Sequence, residues 1–336
     1  MKGCLKSIAF IVASSLVFAC GLQTWAVPLK GTAHLYAAKE KGREALRRAN
    51  ESDSRGVEAL SARSLPFAAR FRLVEGRGLI VNTWINGAGP FKLAIDTGAG
   101  ATILSEQVAQ AAQVRYETGR RTTIGGLSGK GAGMGREARL SSLAIGDRNN
   151  FLPAQASVVV TNSLPPGVDG LLDPTESYWP LGYTIDFPQA TISAFDPRTT
   201  PLRVTNAPAN GAVVPWLFVG AARRPFVSLD NGRRALVDTG SSFGLALGEM
   251  EAQSMGIIPR ARGRASEVRD LGGGRVSAHR IAPVTVRIGS MSLRNVPTDL
   301  LYGAEAGAPI ILGRDALSPF KLTFDPLNRL IQIEPF

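Results

Sequence analysis

Only two cysteines and two histidines occur in the 336 residues, and their positions exclude several chemistries. Both cysteines, Cys4 and Cys20, lie in an N-terminal stretch where Lys2 and Lys6 precede an apolar run over 8–20. The small-x-small sequence Thr24-Trp25-Ala26 follows, so residues 1–26 read as a secretory signal cleaved before Val27. A chain beginning at Val27 has no thiol, which excludes disulfides and cysteine catalysis. The histidines, His34 and His279, form no His-Glu-x-x-His pattern, so zinc hydrolysis lacks its ligands and no metal is expected. A Ser–His–Asp arrangement would need His279, but no G-x-S-x-G sequence accompanies it, and a strand or surface role fits better. Gly272-Gly273-Gly274 has neither the spacing nor the lysine of a phosphate-binding loop. No organic cofactor is implied.

Long hydrophobic runs are missing too. No segment reaches the roughly 18 apolar residues that a membrane-spanning helix needs. A tether remains open only through Cys20, because Val17-Phe18-Ala19-Cys20-Gly21 loosely resembles a bacterial lipobox. Phe18 fits that pattern poorly, so the expectation is plain export to the periplasm or beyond, with a membrane-anchored lipoprotein as the alternative. The formal net charge of +11 is carried by scattered arginines without an aromatic-interleaved stripe, and nucleic acid is not an expected partner.

What is abundant is glycine, 37 residues, together with a 44% hydrophobic fraction, the composition of a folded, loop-rich, β-rich chain. Residues 27–66 form a polar spacer, helical in part over 33–50. Beyond it the sequence states one pattern twice. In the first half, residues 79–85 alternate with period 2, Asn86-Gly87 supplies a turn, and a second apolar run ends in Asp96-Thr97-Gly98. In the second half, Asn231-Gly232 is a strong hairpin signal and Ala235-Leu236-Val237 runs into Asp238-Thr239-Gly240. Each triplet precedes a short helical segment (near 105–113 and 248–255), a glycine-rich stretch, an apolar doublet or triplet, and a late strand (183–187 and 322–325). The triplets are 142 positions apart, Leu172 and Leu312 are 140 apart, and Asp186 and Asp325 are 139 apart. Nearly equal offsets in one order indicate a duplicated β lobe, with boundaries at 67–199 and 200–336.

Asp-Thr-Gly, twice, each after an apolar strand, resembles the pepsin/retropepsin superfamily of aspartic proteases over about residues 68–336. DTGAGAT from Asp96 is similar to the retropepsin form and DTGSSF from Asp238 to the pepsin form. The resemblance implies an all-β bilobal acid-protease fold, two similar barrel-like lobes with the site between them. It also implies aspartic endopeptidase activity on a polypeptide substrate, and a monomer that holds both aspartates. Asp96 and Asp238 would be catalytic. Two carboxylates about 3 Å apart cannot both ionise comfortably, so one shared proton provides an acid and a base together. Gly98 and Gly240 would let the turns approach closely, and Thr97 and Thr239 would interlock across the pair. Ser241 offers a hydroxyl near Asp238 where Ala99 offers none, which places the proton more on Asp96. Gly125, Gly126 and Gly129, with Gly272 and Gly273, are flap candidates, although 124–135 contains no tyrosine of the pepsin flap. Asp173 stands where the second half has Gly313, a bulky charged departure beside the pair. It keeps open an alternative in which the same cleft binds peptides without cleaving them.

Overall fold

In a computed structural model of the chain, the period-2 stretches become strands and the turn residues fall where the chain reverses. The structure describes residues 10–11, 64–126, 133–153, 157–164, 166–218, 223–257, 265–271, 274–305 and 307–336. Residues 1–9 and 12–63, which include Cys20, the expected cleavage site and nearly all of the expected spacer, lie outside the described residues. Strands Gly78–Ile85 and Ala88–Ile95 form a hairpin about Asn86 (φ 50°) and Gly87 (φ 81°). Two successive positive φ values define the turn whose twist suits paired strands, which is why Asn-Gly marks it. Leu79, Val81, Ile85, Leu93 and Ile95 are buried on this hairpin, and each such side chain contributes roughly 1.5–3 kcal/mol on leaving water.

The two halves agree over seven strands. The first-half sheet runs Arg115–Ile124, Gly133–Arg139, Ser157–Thr161, Thr102–Ser105, Gly170–Leu172, Ala88–Ile95, Gly78–Ile85, and ends on Arg72–Val74. The second runs Ser266–Asp270, Arg275–Arg280, Thr298–Tyr302, Leu245–Gly248, Ile310–Gly313, Arg234–Asp238, Phe226–Ser228. Phe10–Ile11 lies parallel to its outer strand. The pairing senses also correspond: each strand leading into Asp-Thr-Gly runs parallel to the apolar strand beside it. Each of those is antiparallel to the strand that follows the triplet. The register, Leu172 opposite Ile95 and Leu312 opposite Val237, makes Asp173 the counterpart of Gly313.

A third sheet joins the halves, in the order Ala212–Pro215, Leu330–Pro335, Phe320–Asp325, Gly182–Asp186, Thr191–Phe195, Ala69–Arg70. Its two central strands are the late strands of the halves, paired antiparallel with Thr184 opposite Thr323 and their hydroxyls 3.1 Å apart. An approximate twofold axis therefore passes between them. Tyr183 stacks on Phe324 at 4.6 Å between ring centroids, and Trp216 meets Phe324 edge-on. Asp186 and Asp325 each close the following turn by accepting a backbone N–H, from Gln189 and Asn328. The fold is thus nearly all β and bilobal, and residues 65–336 belong to one compact unit. Among the described residues no helix is long and apolar enough to cross a membrane.

Candidate active site

Both apolar strands that precede the triplets are buried to their last residue, so the aspartates that follow emerge at the centre of the molecule. Asp96 and Asp238 have no solvent exposure. Each turn holds its own aspartate: Gly98 N–H donates to Asp96 Oδ1 at 2.8 Å, and Gly240 N–H to Asp238 Oδ1 at 2.8 Å. The glycines face the opposite carboxylates. A Cβ on Gly98 would stand 2.7 Å from Asp238 Cγ, and one on Gly240 would stand 2.6 Å from Asp96 Oδ1. Real contacts of that kind do not occur, so glycine at both positions is a condition for the two turns to meet.

The threonines cross between the halves. Thr97 Oγ1 donates to Val237 O at 2.6 Å and accepts from Thr239 N–H at 3.0 Å. Thr239 Oγ1 donates to Ile95 O at 3.2 Å and accepts from Thr97 N–H at 3.2 Å. Four buried hydrogen bonds thus tie the strand ends together and fix the separation of the aspartates.

Both Oδ2 atoms are without a hydrogen-bond donor from the rest of the protein. Each carboxyl faces the glycine turn of the other half, so the two stand close together. Burial first, and then the charge of Asp238, push Asp96 well above the ordinary carboxylate range. Burial also raises Asp238, but only to about 6, because the Asp96 carboxyl, the Ser241 N–H, the Arg314 cation and the Gly240 N–H all favour its ionised form. The groups that favour an ionised carboxyl thus gather on Asp238. The contribution of Ser241 differs from the sequence reading. Its backbone N–H donates to Asp238 Oδ1 at 3.1 Å, while its hydroxyl accepts from the Phe243 N–H at 3.3 Å.

Asp173 is buried and caps the helix Pro174–Tyr178, its Oδ1 accepting the Thr175 N–H at 2.8 Å. Its own N–H donates to Thr102 Oγ1 at 3.1 Å. Burial, then the charge of Glu176, raises it to about 8. At neutral pH it is an uncharged acid built into a helix start. The matching position in the other half admits only glycine, since a Cβ on Gly313 would lie 2.5 Å from Phe243 O and 3.1 Å from the Ser241 hydroxyl.

Each lobe contributes a hairpin where a flap was expected: Arg115–Ile124 with Gly133–Arg139, and Ser266–Asp270 with Arg275–Arg280. Gly125 and Gly126 follow the first arm, half-buried and buried. Gly129, Gly272 and Gly273 lie outside the described residues. Leu271, at the end of the second lobe's first arm, is buried in an apolar cluster of the first lobe that includes Ala99, Ile103, Ile124 and Leu171. His279 is a strand residue whose Nε2 meets the hydroxyl of Ser277 at 3.1 Å and whose ring packs on Tyr302. Among the described residues no group of three His, Cys, Asp or Glu is arranged to hold a metal.

Two arginines of the site escaped the sequence reading. Arg314 follows Gly313 directly and is buried, and its Nη1 donates to Thr239 O at 2.7 Å and Gly240 O at 2.6 Å. Arg224 is largely buried within the electrostatic reach of Asp238, Asp173 and Asp96. Its neighbour Arg223 stacks on Trp179 at 3.8 Å and pairs with Glu176 at 3.7 Å. For Arg314 the available signal was a charged residue two positions after an apolar triplet, where the first half has proline.

Comparison with known families finds one match in each half of the chain. Residues 81–172 match the gag-polyprotein aspartyl protease family, and residues 230–316 match an aspartyl protease family. No curated protein matches the chain.

Proposed function

The chain belongs to the retropepsin-like aspartic protease superfamily, and on that premise we propose that it is an endopeptidase that hydrolyses peptide bonds with Asp96 and Asp238 as its acid and base. One observation carries this reading: two buried carboxyls stand on turns that meet, with both Oδ2 atoms open. A water held between them loses a proton to ionised Asp238 as it attacks the scissile carbonyl carbon. Asp96 donates its proton to the carbonyl oxygen, which completes a neutral gem-diol. Asp238 then returns the first proton to the leaving nitrogen as the C–N bond breaks, and Asp96 recovers its own from the diol. No metal takes part in this scheme.

The reading calls for an extended polypeptide substrate, with backbone hydrogen bonds supplying affinity and side-chain pockets selectivity. Both aspartates come from one chain, so a monomer suffices. Lys2, Lys6 and the apolar run after them support export, with cleavage before Val27.

The test is cleavage of a diverse peptide mixture from pH 3 to 9 by the chain from Val27 and by its Asp96→Asn and Asp238→Asn variants. The active form needs Asp238 ionised and Asp96 protonated. Activity should therefore fall as pH drops through about 6, where Asp238 takes up a proton, and fall again at high pH as Asp96 loses its own. Both variants should fold and cleave nothing. A folded wild-type protein without turnover at any pH, or a variant that keeps its activity, would overturn the reading.

A further inference from the structure

The two lobes match over seven strands, yet the charged groups around the aspartates do not. At the position after the apolar strand, the first lobe has Asp173 and Pro174 and the second has Gly313 and Arg314. One aspartate thus has an acid beside it and the other a cation. Arg314 is fixed by its contacts: Nη1 holds the carbonyls of Thr239 and Gly240, the two residues that follow Asp238. It also spans the lobes. Gly78 of the first lobe, at φ +88°, leaves the space it fills, and a Cβ there would stand 3.3 Å from Nη1. The strand pairing makes Arg224 the counterpart of Gly78, so the second lobe supplies both cations and the first supplies the room.

We propose that Arg314 is a positioning residue that locks the Asp238 turn and, through its charge, selects Asp238 as the ionised member of the pair, leaving the proton on Asp96. The inference rests on the protease reading of the site. A guanidinium taken out of water needs compensation, and here it comes from two carbonyls and the nearby carboxylate. Removing the charge removes one cause of the lower affinity of Asp238 for a proton. The other ionisable groups that act on Asp238 are Asp96 across the pair and Arg224; Asp173 acts on Arg224 and Asp96, and Asp315 on Arg314. None of these replaces a cation anchored on the Thr239–Gly240 carbonyls.

The experiment compares Arg314→Gln, which keeps a donor for the carbonyls without the charge, with Arg314→Lys, which keeps the charge without the fork. The acid limb of kcat/KM should move up by at least about one pH unit in Arg314→Gln, the size expected when a carboxylate loses a neighbouring cation. Arg314→Lys should leave the limb at its wild-type position and lower kcat severalfold. A folded Arg314→Gln variant with an unmoved limb overturns the proposal, and so does an Arg314→Lys variant whose limb shifts. A shifted limb in the lysine variant overturns the proposal even where the glutamine variant does not fold. NMR titration of the carboxyl carbons in aspartate-labelled protein, assigned with Asp238→Asn, reads the same displacement without turnover. A displaced Asp238 titration in a protein that cleaves nothing would refute the protease reading and leave the role of Arg314 intact.

Discussion

Removing the Thr97 hydroxyl tests what holds the two lobes in register at the site. Thr97→Val keeps the shape of the side chain and deletes one oxygen. Val237 O then loses a donor at 2.6 Å, and Thr239 N–H loses its acceptor at 3.0 Å. Both groups are buried, and neither can turn to water. An orphaned buried polar group costs about 1–3 kcal/mol, so the pair together should cost about 2–6 kcal/mol. Thr239→Val breaks the reciprocal pair of contacts, both at 3.2 Å, and should cost less than Thr97→Val because the bonds it removes are longer. Denaturant unfolding at fixed pH supplies the numbers, provided the slope m is unchanged. Thr97→Ser, which retains the hydroxyl, is the control and should recover most of the loss. A Thr97→Val cost below about 0.5 kcal/mol, the range of ordinary surface substitutions, would show that the interlocked threonines do not hold the halves together. A larger cost for Thr239→Val would refute the ranking by bond length. The double variant should cost less than the sum, since a lobe junction loosened by one loss has less to give up at the next.

Gly240→Ala places a methyl against the Asp96 carboxyl, 2.6 Å from Oδ1, and must push the two carboxyls apart. Peptide turnover should fall at least about tenfold while the protein stays folded, since misplacing reacting groups by 1 Å can cost about 100-fold; wild-type kinetics in that variant would disprove the close approach. Asp173 provides a pH prediction whose sign follows from its raised folded value. Between the ordinary 3.8 and about 8 the folded protein holds a proton that the unfolded chain has released, so stability declines as pH rises through that window and levels off above it. Asp173→Asn keeps a helix-capping side chain and cannot ionise. It should flatten that slope and stabilise the protein more at pH 8 than at pH 5, as read from thermal melts at the two values. Equal effects at both would mean that Asp173 is ionised in the native state.

Much of this architecture can be read from residues acting over a few positions. Period-2 alternation over 79–85, the positive φ that Asn-Gly supplies at 86–87, and the apolar runs into Asp96 and Asp238 are local properties. They need no knowledge of the partner strand. The repeat offsets extended that local reading to a duplicated lobe, and the repeated triplet singled out the two aspartates. Other features depend on segments far apart in the chain, and no local pattern encodes them. The joining sheet exists because Gly182–Asp186 meets Phe320–Asp325. Leu271 is buried only because it reaches an apolar cluster of the other lobe. Asp173 reads in sequence as a charged intruder, yet the fold makes it a helix cap, and burial keeps it protonated. Ser241 suggested a hydroxyl donor to Asp238, and tertiary geometry assigned that contact to its backbone N–H. Arg314 shows the division most clearly. Its identity is written beside an apolar triplet, but its effect on Asp238 comes from distance and burial. A charge acts through space and through the dielectric around it, and both are set only when the two lobes close on each other.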